Sequence, residues 1–368
     1  MKVLKFGGTS VGTPQRMKEV AKLITDGEKK IVVLSAMSGT TNSLVEISDY
    51  LYKKNPDGAN EVINALETKY KRHINELYST EEYKNKTLAL VKDIFNGIRA
   101  FTKDIFTLFE EKVILAQGEL ISTNMVTNYL LEQGVNVVLL PALEFMRTDK
   151  NAEPDLVYIK NKLGAQLEMH PDADIYITQG YICRNAYGEV DNLQRGGSDY
   201  SASLIGAAAN ASEIQIWTDI DGMHDNDPRI VEKTSPVRQL HFEEAAELAY
   251  FGAKILHPTC IQPAKYANIP VRLLNTMEPT APGTLISNDT ELGKIKAVAA
   301  KDNITAIQIK SGRMLLAYGF LRKVFEIFES YQTSIDMICT SEVGVSVSID
   351  DTKHLNEILN DLKKYGTV

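Results

Sequence analysis

Short apolar runs recur along the chain, separated by longer stretches in which apolar and charged residues mix at helical spacing. Val3, Leu4 and Phe6 open the sequence as a short buried strand, and runs at residues 31–34, 135–140, 175–177 and 214–218 repeat it. Strand-like runs alternating with helical stretches are the signature of βαβ units, so the pattern predicts a mostly parallel sheet covered by helices. Thr13-Pro14 reads as the cap and first residue of a helix that follows the first strand. Residues 56–119 are almost all helix-compatible, with little glycine. They predict a helical excursion that forms the lid or wall of a site or a subunit contact.

The turn-rich stretch PTAPGTLISNDTELG, residues 279–293, marks a boundary, which gives domains at 1–290 and 291–368. Beyond it the pattern reads strand (304–309), helix (320–331), strands (335–340 and 345–349) and helix (353–365). That β-α-β-β-α order is one strand short of a ferredoxin-like unit. The chain stops at residues 366–368, where the closing strand is expected to begin, and so reads as truncated.

Composition narrows the class. The 368 residues are 44% hydrophobic and 24% charged, and no apolar run approaches the roughly 18 residues of a membrane span. The start lacks the pattern of a signal peptide, and the expected location is cytoplasmic with no membrane contact. Cys183, Cys260 and Cys339 lie far apart, which predicts neither a disulfide framework nor a zinc site. The six histidines show no ligand spacing, so no protein-held metal is expected. A net charge of −8 argues against nucleic acid as a partner. Any anionic ligand must be held by a local group of basic residues.

KFGGTS, residues 5–10, offers such a group. Its glycines occupy a strand-to-helix turn, where free N–H groups and the helix dipole suit a phosphate, and Lys5 adds a mobile positive charge. The spacing fits neither a Walker loop nor a dinucleotide fingerprint. LSAMSGTTN (34–42) presents Ser35, Ser38, Thr40 and Thr41 as hydroxyl donors between a strand and a helix. QRGGSDYSA (194–202) places a guanidinium, a flexible turn, a hydroxyl and a carboxylate together; Arg195 suits a carboxylate or phosphate, and Asp199 an ammonium group. WTDIDGMHDNDPR (217–229) ends a strand in an acidic loop without EF-hand spacing. FGAKILHP (251–258) supplies Lys254. Taken singly, each segment also fits an ordinary turn, cap or surface ion pair.

Together, in this order, KFGGTSVG, LSAMSGTTN, QGE, RGGSDYSA, WTDIDG with DPR, and FGAKILHP resemble the aspartate kinase branch of the amino-acid kinase family, from Lys2 to Ile349. The resemblance implies a three-layer α/β amino-acid kinase (carbamate kinase-like) fold, followed by an incomplete ferredoxin-like α+β ACT regulatory region. It implies ATP-dependent phosphorylation of the β-carboxylate of L-aspartate, with Mg²⁺ on the nucleotide, in a homodimer or higher homo-oligomer. It also implies an aspartate-binding lobe at about 1–210 and a nucleotide-binding lobe at about 211–290. Lys5, Gly7 and Gly8 would hold the transferring phosphoryl group, and Asp199 would join them in catalysis. Ser35, Thr41, Glu119, Arg195 and Ser198 would line the aspartate site, with Arg195 clamping a carboxylate and Glu119 and Asp199 facing the ammonium. Thr218, Asp219, Asp227, Arg229 and Lys254, with Lys5 and Gly8, would bind ATP. Met314, Asp336, Thr340 and Ser341 match positions that contact a lysine or threonine effector, and residues 294–300 read as an additional strand ahead of the ACT unit.

Two positions depart from the family pattern. Asp191-Asn192-Leu193-Gln194 stands where many relatives read TTLG, at the edge of the aspartate pocket, and His224 replaces a common tyrosine. Two other readings keep the fold: a kinase for another acidic substrate, and a catalytically silent amino-acid sensor. The presence of Lys5, Arg195 and Asp199 weighs against the sensor.

Overall fold

The computed structural model describes residues 1–103, 105–193, 196–227, 229–250, 256–289, 294–312 and 318–368. They divide into two units, Met1–Ala299 and Ala300–Val368.

The first unit contains strands β1 (Lys2–Phe6), β2 (Lys30–Leu34), β3 (Val137–Leu140), β4 (Ile175–Gln179), β5 (Ile182–Arg184), β6 (Val190–Asn192), β7 (Ile214–Thr218), β8 (Gln239–His241), β9 (Val271–Asn275) and β10 (Thr284–Ser287). Its helices are α1 (Pro14–Ile24), α2 (Thr40–Tyr52), α3 (Pro56–Leu77), α4 (Glu81–Ala100), α5 (Leu108–Glu132), α6 (Ala142–Phe145), α7 (Leu156–Met169), α8 (Gly197–Ala208), α9 (Phe242–Tyr250) and α10 (Gln262–Tyr266). Eight strands form one sheet in the order β3-β4-β2-β1-β7-β9-β10-β8. Its pairs are parallel except β9 with β10, and β5 and β6 form a separate antiparallel hairpin.

Period-two alternation assigns the sheet faces. Leu4, Phe6, Val32 and Leu34 enter a core shared with α1 to α5, whereas Val3, Ile31 and Val33 enter a second core on the opposite face. All five residues of β2 are buried because helices cover both faces of a central parallel strand. From β1 the sheet extends on one side through β2, β4 and β3, and on the other through β7 and β9. The carboxyl ends of the central strands β1 and β7 are therefore the place where open α/β sheets of this kind bind ligands. The α1 cap is as expected: Thr13 Oγ1 accepts from the Arg16 N–H at 3.3 Å, and Pro14 opens the helix.

The second unit contains β11 (Thr305–Lys310), α11 (Phe320–Ser330), β12 (Met337–Thr340), β13 (Gly344–Ile349) and α12 (Leu355–Leu362), with sheet order β11-β13-β12. Ile307, Ile309, Val345 and Val347 pack beneath Phe320, Val324, Phe328, Ile358 and Leu362. Thr367 and Lys310 exchange two backbone hydrogen bonds of 2.8 Å, which adds a bridge on the free side of β11.

One strand was not expected and one expectation needs correction. Within the turn-rich residues 279–293 lies β10, which pairs with both β9 and β8. Buried Thr284 locks it there, accepting from the Met223 N–H at 2.8 Å and donating to Val237 O at 2.6 Å. Residues 294–300 form no strand. Val298 donates its N–H to Asp225 O at 2.8 Å, and Lys296 Nζ lies 2.7 Å from Glu244 Oε2, so loop contacts within the first unit hold the segment. The helical excursion is present as α3, α4 and α5, with α5 running on to Glu132 through the core.

Candidate active site

Lys5 is the next-to-last residue of β1, and its ammonium lies 2.7 Å from Asp199 Oδ1 on the first turn of α8. Neither side chain is more than 18% exposed, so little water screens the pair. The two expected phosphate glycines behave differently. Gly7 spends its N–H on Trp217 O at 3.3 Å, because β7 runs alongside β1, and it is not the free donor the sequence predicts. The Gly8 N–H finds no acceptor among the described residues. A Cβ at Gly8 would lie 2.8 Å from Ala36 O, closer than real contacts, so only glycine lets these loops approach. Ser38 N–H completes the join by donating to Gly8 O at 3.1 Å.

The loop after β2 forms the next wall. Ser35 Oγ donates to Ser198 Oγ at 2.8 Å, and Ser122 Oγ of α5 donates to Ser35 O at 2.7 Å. Glu119, one turn before Ser122, accepts from the Ala36 N–H at 3.1 Å through Oε1, while its buried Oε2 has no hydrogen-bond donor among the described residues. Burial pushes the Glu119 carboxyl up to about 7, with the Ala36 N–H pulling the other way. Ser198 and Asp199 are presented by Gly196, which caps α8 with φ of +69° and packs directly on Cys260 Sγ. Cys260 is itself pushed up to about 12, chiefly by burial and then by Asp199. A helix N-terminus also suits the Asp199 carboxylate.

Thr41 lies on the first turn of α2 and faces solvent. Its neighbour Thr40, a hydroxyl donor of the same motif that the family resemblance left out of the aspartate set, is buried and shares a 2.8 Å hydrogen bond with the Tyr70 hydroxyl of α3. Ser122 was missed by the sequence reading, although its three-residue spacing from Glu119 puts both on one helix face. Tyr181, with φ of +67°, gives its N–H to Ser201 Oγ at 2.8 Å, and its ring edge lies where a Cβ on Gly197 would touch it. Nothing in the local sequence announces that strain. Arg195 lies outside the described residues.

On the expected nucleotide side, Thr218 ends β7 beside the Gly7 turn, and its carbonyl accepts from the Thr276 N–H at 2.8 Å. Thr218 Oγ1 accepts from the Ile220 N–H at 3.2 Å, and Asp219 is exposed. Asp227 and Arg229 hold each other in an exposed fork, with Nε–Oδ1 at 3.0 Å and Nη2–Oδ2 at 2.6 Å. The guanidinium keeps the Asp227 carboxyl down at about 2. Lys254 lies outside the described residues.

In the second unit, Asp336 donates its N–H to Ser348 O at 2.8 Å, and its carboxylate lies 3.9 Å from Lys301 Nζ. Thr340 ends β12, and Ser341 donates its N–H to Gly344 O at 2.8 Å in the following turn. Asp336 directly precedes the edge strand β12 and Thr340 ends it, so at about 3.3 Å per strand residue their Cα atoms stand roughly 13 Å apart. Met314 lies outside the described residues.

A mostly parallel α/β sheet with a lysine-bearing glycine turn at the carboxyl ends of its central strands suits a small-molecule phosphotransferase, and comparison with known proteins agrees. Residues 1–275 match the Amino acid kinase family. Aspartokinase 1, chloroplastic, of Arabidopsis thaliana is 36% identical, over 100% of this chain and 68% of that protein. Lysine-sensitive aspartokinase 3 of Escherichia coli strain K12 is 34% identical, over 95% of this chain and 78% of that protein. The solved structure of E. coli aspartokinase III in complex with aspartate and ADP superposes with a TM-score of 0.84 at 33% identity, covering 100% of this chain and 84% of that one. The chain belongs to the amino acid kinase family, in its aspartokinase branch.

Proposed function

We propose that this protein transfers the γ-phosphoryl group of ATP to the β-carboxylate of L-aspartate, giving 4-phospho-L-aspartate, the entry compound of lysine, threonine and methionine synthesis. The observation that carries the reading is the Lys5–Asp199 pair beside the unspent Gly8 N–H, at the carboxyl ends of β1 and β7. A carboxylate acceptor is already ionised at neutral pH, so the site needs no general base. Catalysis then rests on positioning and on neutralising charge as the phosphoryl group moves. Asp199 orients Lys5, and Lys5 and the Gly8 N–H face the transferring oxygens. Ser35 and Ser198 supply hydroxyls to the acceptor, Arg195 clamps one of its carboxylates, and Glu119 receives its ammonium. Thr218 and Asp219, with Asp227, Arg229 and Lys254, form the nucleotide side.

Among the described residues no three His, Cys, Asp or Glu side chains cluster as a metal cage. Mg²⁺ would ride mainly on ATP phosphates and water, as is usual for this ion, and would supply charge neutralisation there. Among the described residues no helix is long and apolar enough to cross a membrane. A cytoplasmic location and a homodimeric or larger assembly belong to the same reading. The decisive experiment measures ATP turnover with L-aspartate, with L-glutamate and with no acceptor, trapping acyl phosphate as the hydroxamate. Hydroxamate is expected with aspartate alone; equal yield from glutamate, or ATP loss independent of acceptor, would overturn the assignment.

The second unit is proposed as a regulatory region, since the E. coli relative is named lysine-sensitive and has been solved with lysine and aspartate. Met314, Asp336, Thr340 and Ser341 are the proposed effector contacts, with Asp336 partnering an effector ammonium. Asp336→Ala is expected to weaken lysine binding at least about tenfold while leaving catalysis intact. Lysine titrations of wild type and variant by calorimetry, with equal affinities, would remove Asp336 from the effector site.

A further inference from the structure

The four residues that depart from the family pattern ahead of Arg195 include Asp191, and the structure gives that residue a partner. Lys112 Nζ of α5 lies 2.7 Å from Asp191 Oδ1 of β6, with the two side chains only 19% and 13% exposed. Lys112 precedes Glu119 by two helical turns, which places both on the same face of α5 about 10 Å apart. Asp191 stands opposite Cys183 in the β5–β6 hairpin, just before the segment that leads into the cap of α8. Leu193 then donates its N–H to Tyr181 O at 2.8 Å and is buried. The other hairpin strand is tied down separately: Arg184 donates its N–H to Met146 O and its Nε–H to Leu143 O, both at 2.9 Å.

The ion pair therefore joins the helix that carries Glu119 to the strand that delivers Ser198 and Asp199. Its surroundings are acidic. Burial, then the charges of Glu119, Glu111 and Asp191, push the Tyr181 phenol up to about 12. Lys112 is the cation set against Asp191 there.

We propose that Lys112 and Asp191 form a latch that holds the two walls of the acceptor pocket at their working separation, making both residues positioning residues for aspartate binding. This rests on the functional reading above. A misplaced wall of even about 1 Å is enough to cost a large factor in binding or rate.

The alternative is that the two charges act only through their field on an anionic substrate. The field predicts opposite effects: removing the cation weakens aspartate binding and removing the anion strengthens it. A latch predicts that both removals weaken it. Steady-state kinetics of Lys112→Met and Asp191→Asn are expected to show aspartate KM raised about tenfold in each, with kcat and ATP KM within about twofold of wild type. The swapped pair Lys112→Asp with Asp191→Lys should recover KM to within about threefold, since it restores the contact with signs reversed. An aspartate KM in Asp191→Asn at or below wild type, a loss confined to melting temperature, or a swap no better than the single variants would overturn the latch. Turnover by the unaltered chain separates the two claims: its absence overturns the functional reading and the latch with it, whereas turnover with unmoved KM values overturns the latch alone.

Discussion

Lys5→Ala is expected to lower kcat about a thousandfold or more, a loss near 4 kcal/mol of transition-state stabilisation, while aspartate KM changes by no more than about threefold. The split follows from where the charge acts. In the resting site Lys5 is neutralised by Asp199 at 2.7 Å, so its removal takes little away from the ground-state substrate. On the proposed mechanism, charge develops on oxygens beside Gly8 as the phosphoryl group moves, and the ammonium would answer it in a site where the pair is mostly shielded from water. Lys5→Ala also leaves Asp199 without its cation, so the variant's fold must be checked by its melting curve. Asp199→Asn should share much of the kcat loss by freeing the ammonium from its orientation. A wild-type kcat in Lys5→Ala would remove Lys5 from the mechanism.

Glu119→Gln should separate stability from function. The native carboxyl is raised from 4.5 to about 7 by burial. A raised carboxyl favours the folded state most below pH 4.5, where both states are protonated, and that contribution is lost as pH rises to about 7. At pH 8 the buried charge then costs up to about 3 kcal/mol. Glutamine keeps an acceptor for the Ala36 N–H without the charge, so Glu119→Gln is expected to be more stable than wild type at pH 8 and to lose that advantage near pH 5. The same variant should bind aspartate at least about tenfold more weakly, because no anion is left for the substrate ammonium. In wild type, aspartate KM should rise as pH falls below about 7, and binding at pH 6.5 should release a proton, visible by calorimetry in buffers of different ionisation enthalpy. Urea unfolding that shows no pH-dependent difference between the proteins, together with a flat KM from pH 6 to 8, would rule out the charged role of Glu119.

Much of the framework was legible locally because it depends on periodicity and on residue-specific backbone chemistry. The alternation of Val3, Leu4 and Phe6, the Thr13-Pro14 cap, the run at 214–218 and the β-α-β-β-α order of the second unit all lie where those rules place them. The short strands β8 and β10 escaped detection: each is three or four residues long, and each is defined by the neighbour it pairs with rather than by its own pattern.

The site divides in the same way. Motif order alone pointed to Lys5, Gly8, Ser35, Glu119, Ser198 and Asp199, and the structure brings Lys5 to Asp199 and Ser35 to Ser198 across long stretches of chain. No local rule could show that Gly7 gives its N–H to Trp217, that Thr40 rather than Thr41 is buried, or that Asp227 and Arg229 hold each other. Nor could it show that burial raises the Glu119 carboxyl to about 7, or that Asp191 meets Lys112. The sequence by itself determined which chemical groups are available and which end of each strand carries them, since turn, cap and alternation are short-range effects. Only the tertiary structure decided which groups are paired, buried or left with a free hydrogen-bonding position, because desolvation and charge pairing depend on what distant segments bring within a few ångströms.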